Sequence, residues 1–81
     1  MNKEQVFETV KKYILEQLPV SADRVTWDAK MVDDLGADSA NLMMLIMDLE
    51  NEYDMTVEDE ALSSIKTVGD IVSYIESRIA K

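Results

Sequence analysis

One serine in this chain stands where its hydroxyl could do chemistry. Ser39 closes the run Asp33-Asp34-Leu35-Gly36-Ala37-Asp38-Ser39, and a strongly periodic helical pattern begins there. At a helix start the first backbone N–H groups have no intrahelical partner and the helix dipole is positive, so a phosphodiester on Ser39 would be well held. Asp38 brings the carboxylate an N-cap requires, and it could also face a partner's cation or a metal at a partner's active site. Asp-Ser is equally an ordinary capping pair, and on residue types alone both readings stand. The chain contains no Cys and no His. Disulfides, thiolate metal sites and the commonest general base are therefore absent, and a self-contained Ser-His-Asp or Cys-His site is excluded.

The elements that must position Ser39 follow from apolar spacing. Val6, Val10, Ile14 and Leu18 predict a first helix from about Lys3 to Leu18, with Phe7 and Leu15 widening its stripe and Pro19 ending it. No period appears from Val20 to Asp38. A connection of that length inside a compact domain implies its own packing or a function. It is read as an ordered loop with a short turn of helix, pinned across the core by Val25, Trp27, Met31, Val32 and Leu35. Gly36 permits a tight, left-handed bend before the second helix. That helix should run from Ser39 to about Tyr53, with Leu42, Leu45, Ile46, Leu49 and Tyr53 on one inward face and Ser39 at its edge. A short third helix is predicted over Glu58 to Leu62. A fourth begins at Thr67, where Thr67-Val68-Gly69-Asp70 approximates a capping box, and carries the stripe Val68, Ile71, Val72, Ile75 and Ile79. The expectation is an all-α fold: a small antiparallel bundle of three long helices plus one short helix, with residues 1–81 forming a single domain.

Charge narrows the partners. Seventeen acidic against eight basic residues give a net charge of −9, and from Met31 to Ile65 there are ten carboxylates and no Lys or Arg. Such a surface repels nucleic acid and steers towards proteins with Lys/Arg patches. The polar N-terminus does not open a signal peptide, and the longest apolar run, Leu42 to Met47, is far short of the ~20 residues a membrane span needs. A soluble, cytoplasmic monomer with no membrane span is expected. The clustered acids suit diffuse counterions, but EF-hand spacing is missing, so no dedicated metal site is expected.

The Asp33–Ser39 run resembles the attachment motif of the acyl carrier protein family. Leu45, Ile46, Met47, Leu49, Glu50, Glu52, Tyr53 and Asp54 follow that family's second-helix pattern, and Thr67-Val68-Gly69-Asp70 resembles its approach to the last helix. The resemblance extends from about Val6 to Ile79. It implies that Ser39 carries 4′-phosphopantetheine taken from coenzyme A, with Asp38 beside it. A separate phosphopantetheinyl transferase would install the group, so this chain needs no base and is no enzyme. The arm's thiol would hold acyl groups as thioesters, with Leu42, Ile46, Leu49, Ile65, Ile71 and Ile75 as residues that could line a retreat between the helices or serve simply as core. Implied partners are that transferase and acyl-transferring or condensing enzymes with basic or apolar docking patches. The implied pathway is fatty acid, polyketide or related specialised lipid biosynthesis. A D-alanyl or aminoacyl carrier of the same fold and an unmodified acidic helical interaction module are the competing readings. Gly36-Ala37-Asp38-Ser39 argues against a peptidyl carrier, where Gly-Gly-His-Ser is more usual. The end at Lys81 without a linker favours a free-standing carrier.

The chain departs from the family next to the serine. Leu and an acid commonly follow it there; Ala40 and Asn41 stand here, and Met44 occupies a position that is often Glu. Ala40, Met43, Met44 and Met47 fall on the outward side of the second helix. Methionine is soft and adaptable, and such stripes suit grooves on partners. Ala40, Met43, Met44, Met47, Glu50 and Asp54 are therefore the candidate partner-binding residues.

Overall fold

The computed structural model describes residues 2–79. Four helices run in the order α1 (Lys3–Gln17), α2 (Ser39–Tyr53), α3 (Asp59–Ser64) and α4 (Val68–Ile79), with a single 3-10 turn at Ala22–Arg24. This is the expected bundle of three long helices and one short one.

α1 opens with a reciprocal capping box: Gln5 N–H donates to Asn2 Oδ1 at 2.8 Å, and Asn2 N–H donates to Gln5 Oε1 at 3.0 Å. It ends one residue earlier than its apolar spacing predicts, because Leu18 precedes Pro19 and takes an extended conformation. Val6, Val10, Ile14 and Leu18 are buried, whereas Leu15 lies exposed rather than widening the inward stripe. Leu45, Ile46 and Leu49 of α2 meet Val68, Ile71, Val72 and Ile75 of α4 in the same core, with Leu42, Tyr53 and Ile79 partly buried at its margins. Two side-chain bonds tie α1 to α2. Gln17 Nε2 donates to Asp48 at 2.8 Å, and the Tyr13 hydroxyl donates to Glu52 at 2.6 Å. Giving up that proton would break the bond and set an anion against Glu52, so the Tyr13 hydroxyl is pushed up to about 12.

The connection between α1 and α2 is ordered. Val25, Met31 and Leu35 are buried as predicted, and Ala29 and Ala37 join them. Trp27 and Val32 do not cross the core. Trp27 stays at the surface with its ring stacked on Phe7, centroids 4.7 Å apart, and Val32 is exposed. Among the described residues the only β pairing is an isolated antiparallel bridge between Lys30 and Thr67. It is reinforced by Met31 N–H to Lys66 O at 2.9 Å and Val68 N–H to Ala29 O at 3.0 Å.

α2 ends at Asp54, which adopts a left-handed conformation with φ 51°. The Glu50 carboxylate then reaches forward to accept Val57 N–H at 2.8 Å. α3 starts and ends later than its spacing predicts. Glu58 is its cap rather than its first turn, and the helix continues to Ser64. Thr67 and Asp70 form the predicted box at the start of α4: Thr67 N–H donates to Asp70 Oδ2 and Asp70 N–H to Thr67 Oγ1, each at 3.1 Å. Among the described residues no helix is long and apolar enough to cross a membrane.

Candidate attachment site at the start of α2

Ser39 is set in place by a short, heavily bonded turn. Asp34 and Leu35 amides both donate to Lys30 O, and Gly36 N–H donates to Val32 O. Asp34 also accepts Lys30 N–H at 2.8 Å through its carboxylate. Gly36 takes φ +73°, a left-handed bend that other residues adopt at a cost. Ala37 N–H then donates to Met31 O at 2.9 Å, and the buried Leu35 and Ala37 side chains anchor the segment in the core. Two residues later α2 begins.

Asp38 caps the helix. Its carboxylate accepts Asn41 N–H at 2.8 Å and its carbonyl accepts Leu42 N–H at 3.0 Å. Among the described residues no protein acceptor takes the amides of Ser39 or Ala40, and the exposed Ser39 hydroxyl makes no side-chain hydrogen bond. An accessible hydroxyl, unpartnered amides and the positive end of a 15-residue helix fit a phosphodiester held on Ser39 Oγ.

Beside this turn lies a pocket of about 410 Å³ lined by Lys30, Met31, Val32, Asp33, Leu42, Ile65 and Lys66. Of the residues expected to line a retreat for an acyl chain, Leu42 and Ile65 border this pocket. Ile46, Leu49, Ile71 and Ile75 are buried in the core instead. Sequence spacing did not bring the two lysines to the pocket, because their meeting depends on the Lys30–Thr67 bridge. The available signal was that these two cations flank the all-acid segment on either side.

The outward face of α2 is as apolar as its composition suggests. Met43, Met44 and Met47 are 44%, 53% and 56% exposed, and Ala40 is exposed above them. Glu50 is half-buried with one oxygen committed to Val57, while Asp54 is exposed at the end of the same helix. Among the described residues no three acidic side chains converge as metal ligands would.

Known proteins resemble this chain over most of its length. The family described as the phosphopantetheine attachment site matches residues 8–75. The acyl carrier protein of Thermotoga maritima is 50% identical over 78 residues, covering 96% of each chain. That of Exiguobacterium sibiricum is 46% identical over 79 residues, covering 98% of this chain and 100% of its own. The solved structure of an acyl carrier protein from Enterococcus faecalis superposes with a TM-score of 0.80 at 39% identity, over 95% of this chain and 98% of that one. Fold and site thus define a helical carrier, a protein that holds a 4′-phosphopantetheine group and leaves the chemistry to enzymes. The chain belongs to the acyl carrier protein family.

Proposed function

We propose that Ser39 is the attachment residue and that the protein carries acyl intermediates for fatty acid, polyketide or related specialised lipid biosynthesis in the cytoplasm. The observation that carries this reading is the exposed Ser39 hydroxyl beside two unpartnered amides at the head of α2. Ser39 Oγ attacks the β-phosphate of coenzyme A within a separate phosphopantetheinyl transferase, and the pyrophosphate bond breaks to release adenosine 3′,5′-bisphosphate as the phosphodiester forms. The hydroxyl proton goes to a base of that enzyme, since this chain has no His. Asp38 fixes the first turn of α2 and keeps the serine at the surface. When bound, the arm supplies a thiol that holds acyl groups as thioesters.

Intact mass after incubation with coenzyme A, Mg²⁺ and a broad-specificity transferase tests the assignment. A gain of one phosphopantetheine on the native chain and none on Ser39→Ala is expected. No gain with several transferases would return the chain to an unmodified interaction module.

Ala40, Met43, Met44 and Met47 form the face offered to partner enzymes, with Asp54 and the free oxygen of Glu50 as its acidic margin. The exposure of three methionines on one helix face supports an apolar docking site on those partners. Met44→Glu should leave loading by the chain's own partner unchanged and improve loading by a housekeeping synthase. Equal behaviour with both partners would remove the specificity role.

A further inference from the structure

α2 gathers reactive sulfur on one side. The chain has six Met and no Cys, so thioethers are the only sulfur the polypeptide itself offers to an oxidant. Met43, Met44 and Met47 are exposed, whereas Met31 is buried and Met55 is packed in part against the core. At about 100° per residue the three exposed ones fall within roughly 100° of arc, with Met47 between the other two. They lie on the side of α2 opposite its buried residues Leu45, Ile46 and Leu49. Met1 lies outside the described residues.

A small oxidant reaches these three sulfurs without any opening of the fold, and reaches Met31 only through one. An oxygen added to them alters the outer surface of α2 and leaves the core contacts of Leu45, Ile46 and Leu49 intact. The chemical change at that surface is large, because a sulfoxide is polar where the thioether was apolar. An apolar groove that accepts a methionine would then have to bury an S–O dipole with no donor facing it. A thiol on the arm would compete for the oxidant, but one held in a thioester does not. The loaded carrier is therefore the form in which these thioethers are most open to oxidation.

We propose that Met43, Met44 and Met47 are a reversible oxidation site through which peroxide lowers the docking of partner enzymes on α2. The inference rests on the docking face proposed above and adds its regulation. In each event the S–O bond forms as the O–O bond of hydrogen peroxide breaks. The thioether loses two electrons, and the peroxide is reduced to water. A thiol-dependent sulfoxide reductase reverses the step: the sulfoxide returns to thioether, two thiols become a disulfide, and the oxygen leaves as water.

The test treats the full apo chain with hydrogen peroxide, removes the oxidant, and follows phosphopantetheine loading by intact mass with a broad-specificity transferase. Fragment-ion mass spectrometry should place the first oxygens on Met43, Met44 and Met47, with Met31 and Met55 roughly tenfold slower or more. Far-UV circular dichroism at the assay temperature should not change. The kcat/KM for loading should fall about fivefold or more, and treatment with a methionine sulfoxide reductase and dithiothreitol should restore it. The Met43→Leu/Met44→Leu/Met47→Leu chain serves as its own reference, and its rate should be the same before and after peroxide. Oxygen arriving as fast at Met31 or Met55, lost helicity, an unchanged loading rate, or an equal fall in the leucine variant overturns the oxidation site alone. An untreated native chain that does not load overturns the attachment reading, and with it the docking that the oxidation site would control.

Discussion

The starts of α2 and α4 are built on the same plan and finished differently. In α4 the third helical residue is Asp70, whose carboxylate accepts the Lys66 and Thr67 amides while its own amide donates to Thr67 Oγ1. The amides of Val68 and Gly69 go to Ala29 O and Trp27 O, the latter at 2.9 Å. Every donor of that first turn has an acceptor. In α2 the third residue is Asn41, whose amide donates to Asp38 Oδ1 but whose side chain makes no bond in return, and the amides of Ser39 and Ala40 find no protein acceptor among the described residues. α1 has the Asn2–Gln5 box, yet the amides of its Lys3 and Glu4, like those of Ser39 and Ala40, find no protein acceptor among the described residues. The helix that begins at Ser39 thus keeps its positive end open, where α4 has closed its own. An open helix start leaves donors that a ligand can use, and a closed one does not.

The contrast is most strongly broken at Gly69. A Cβ built there stands 2.9 Å from the Trp27 carbonyl oxygen, a rigid backbone atom. Gly69→Ala should therefore destabilise the protein by about 1–3 kcal/mol of overpacking, partly offset by the better helix propensity of alanine. Thermal unfolding followed by circular dichroism reads it, as a fall of roughly 4–8 °C per kcal/mol for a domain of this size. The equivalent residue of α2 is already Ala40, which is exposed.

Asp70 gives a smaller effect with a pH signature. Hydrogen bonds from the Lys66 and Thr67 amides hold its carboxyl below the usual carboxylate range. The folded group releases its proton more readily than the unfolded one, so the unfolded chain binds more protons in acid and stability rises with pH there. The contribution is complete above the unfolded value of about 3.9 and disappears as pH falls through the folded value. Asp70→Ala should cost about 1–2 kcal/mol at neutral pH. The gap between native and variant melting temperatures should close below about pH 4. A gap that stays constant to lower pH would show that the carboxylate is not what closes α4.

The smallest effect sharpens the comparison from the other side. Asn41→Glu places at the head of α2 the acid that α4 has, next to the helix's positive end. A gain of about 0.3–1 kcal/mol is expected, read as a rise in the same unfolding experiment. No gain would mean that the open end of α2 is already satisfied by solvent as well as by a side chain.

The long helices were legible because each buries one stripe, and a stripe with helical period is a local property of the chain. Ser39 was legible for a related reason, since Asp38 and Gly36 mark a helix start whatever surrounds them. The boundary errors have local causes: Leu18 is extended because Pro19 follows, and Glu58 caps α3 instead of entering it. Other misses are not local. Trp27 left the core because Phe7 offered it a flat surface to stack on. Glu50, expected to face partners, also turns one oxygen to the Val57 amide, and it is that second bond that no apolar pattern announces. The two lysines of the pocket meet through a single bridge between segments that share no period, and spacing along the chain carries no trace of it.

The connection leading into Ser39 has a further consequence. It contains no α-helix, yet the amides of Val20, Arg24, Val25, Ala29, Met31, Asp34, Leu35, Gly36 and Ala37 all donate to backbone carbonyls. A protease must draw a cleavable segment into an extended shape, and here that means breaking several of these bonds while uncovering Val25, Met31 and Leu35. Limited digestion of the native protein should therefore spare this stretch although it is the longest part of the described residues without an α-helix, and Ser39 keeps a durable approach path as a result.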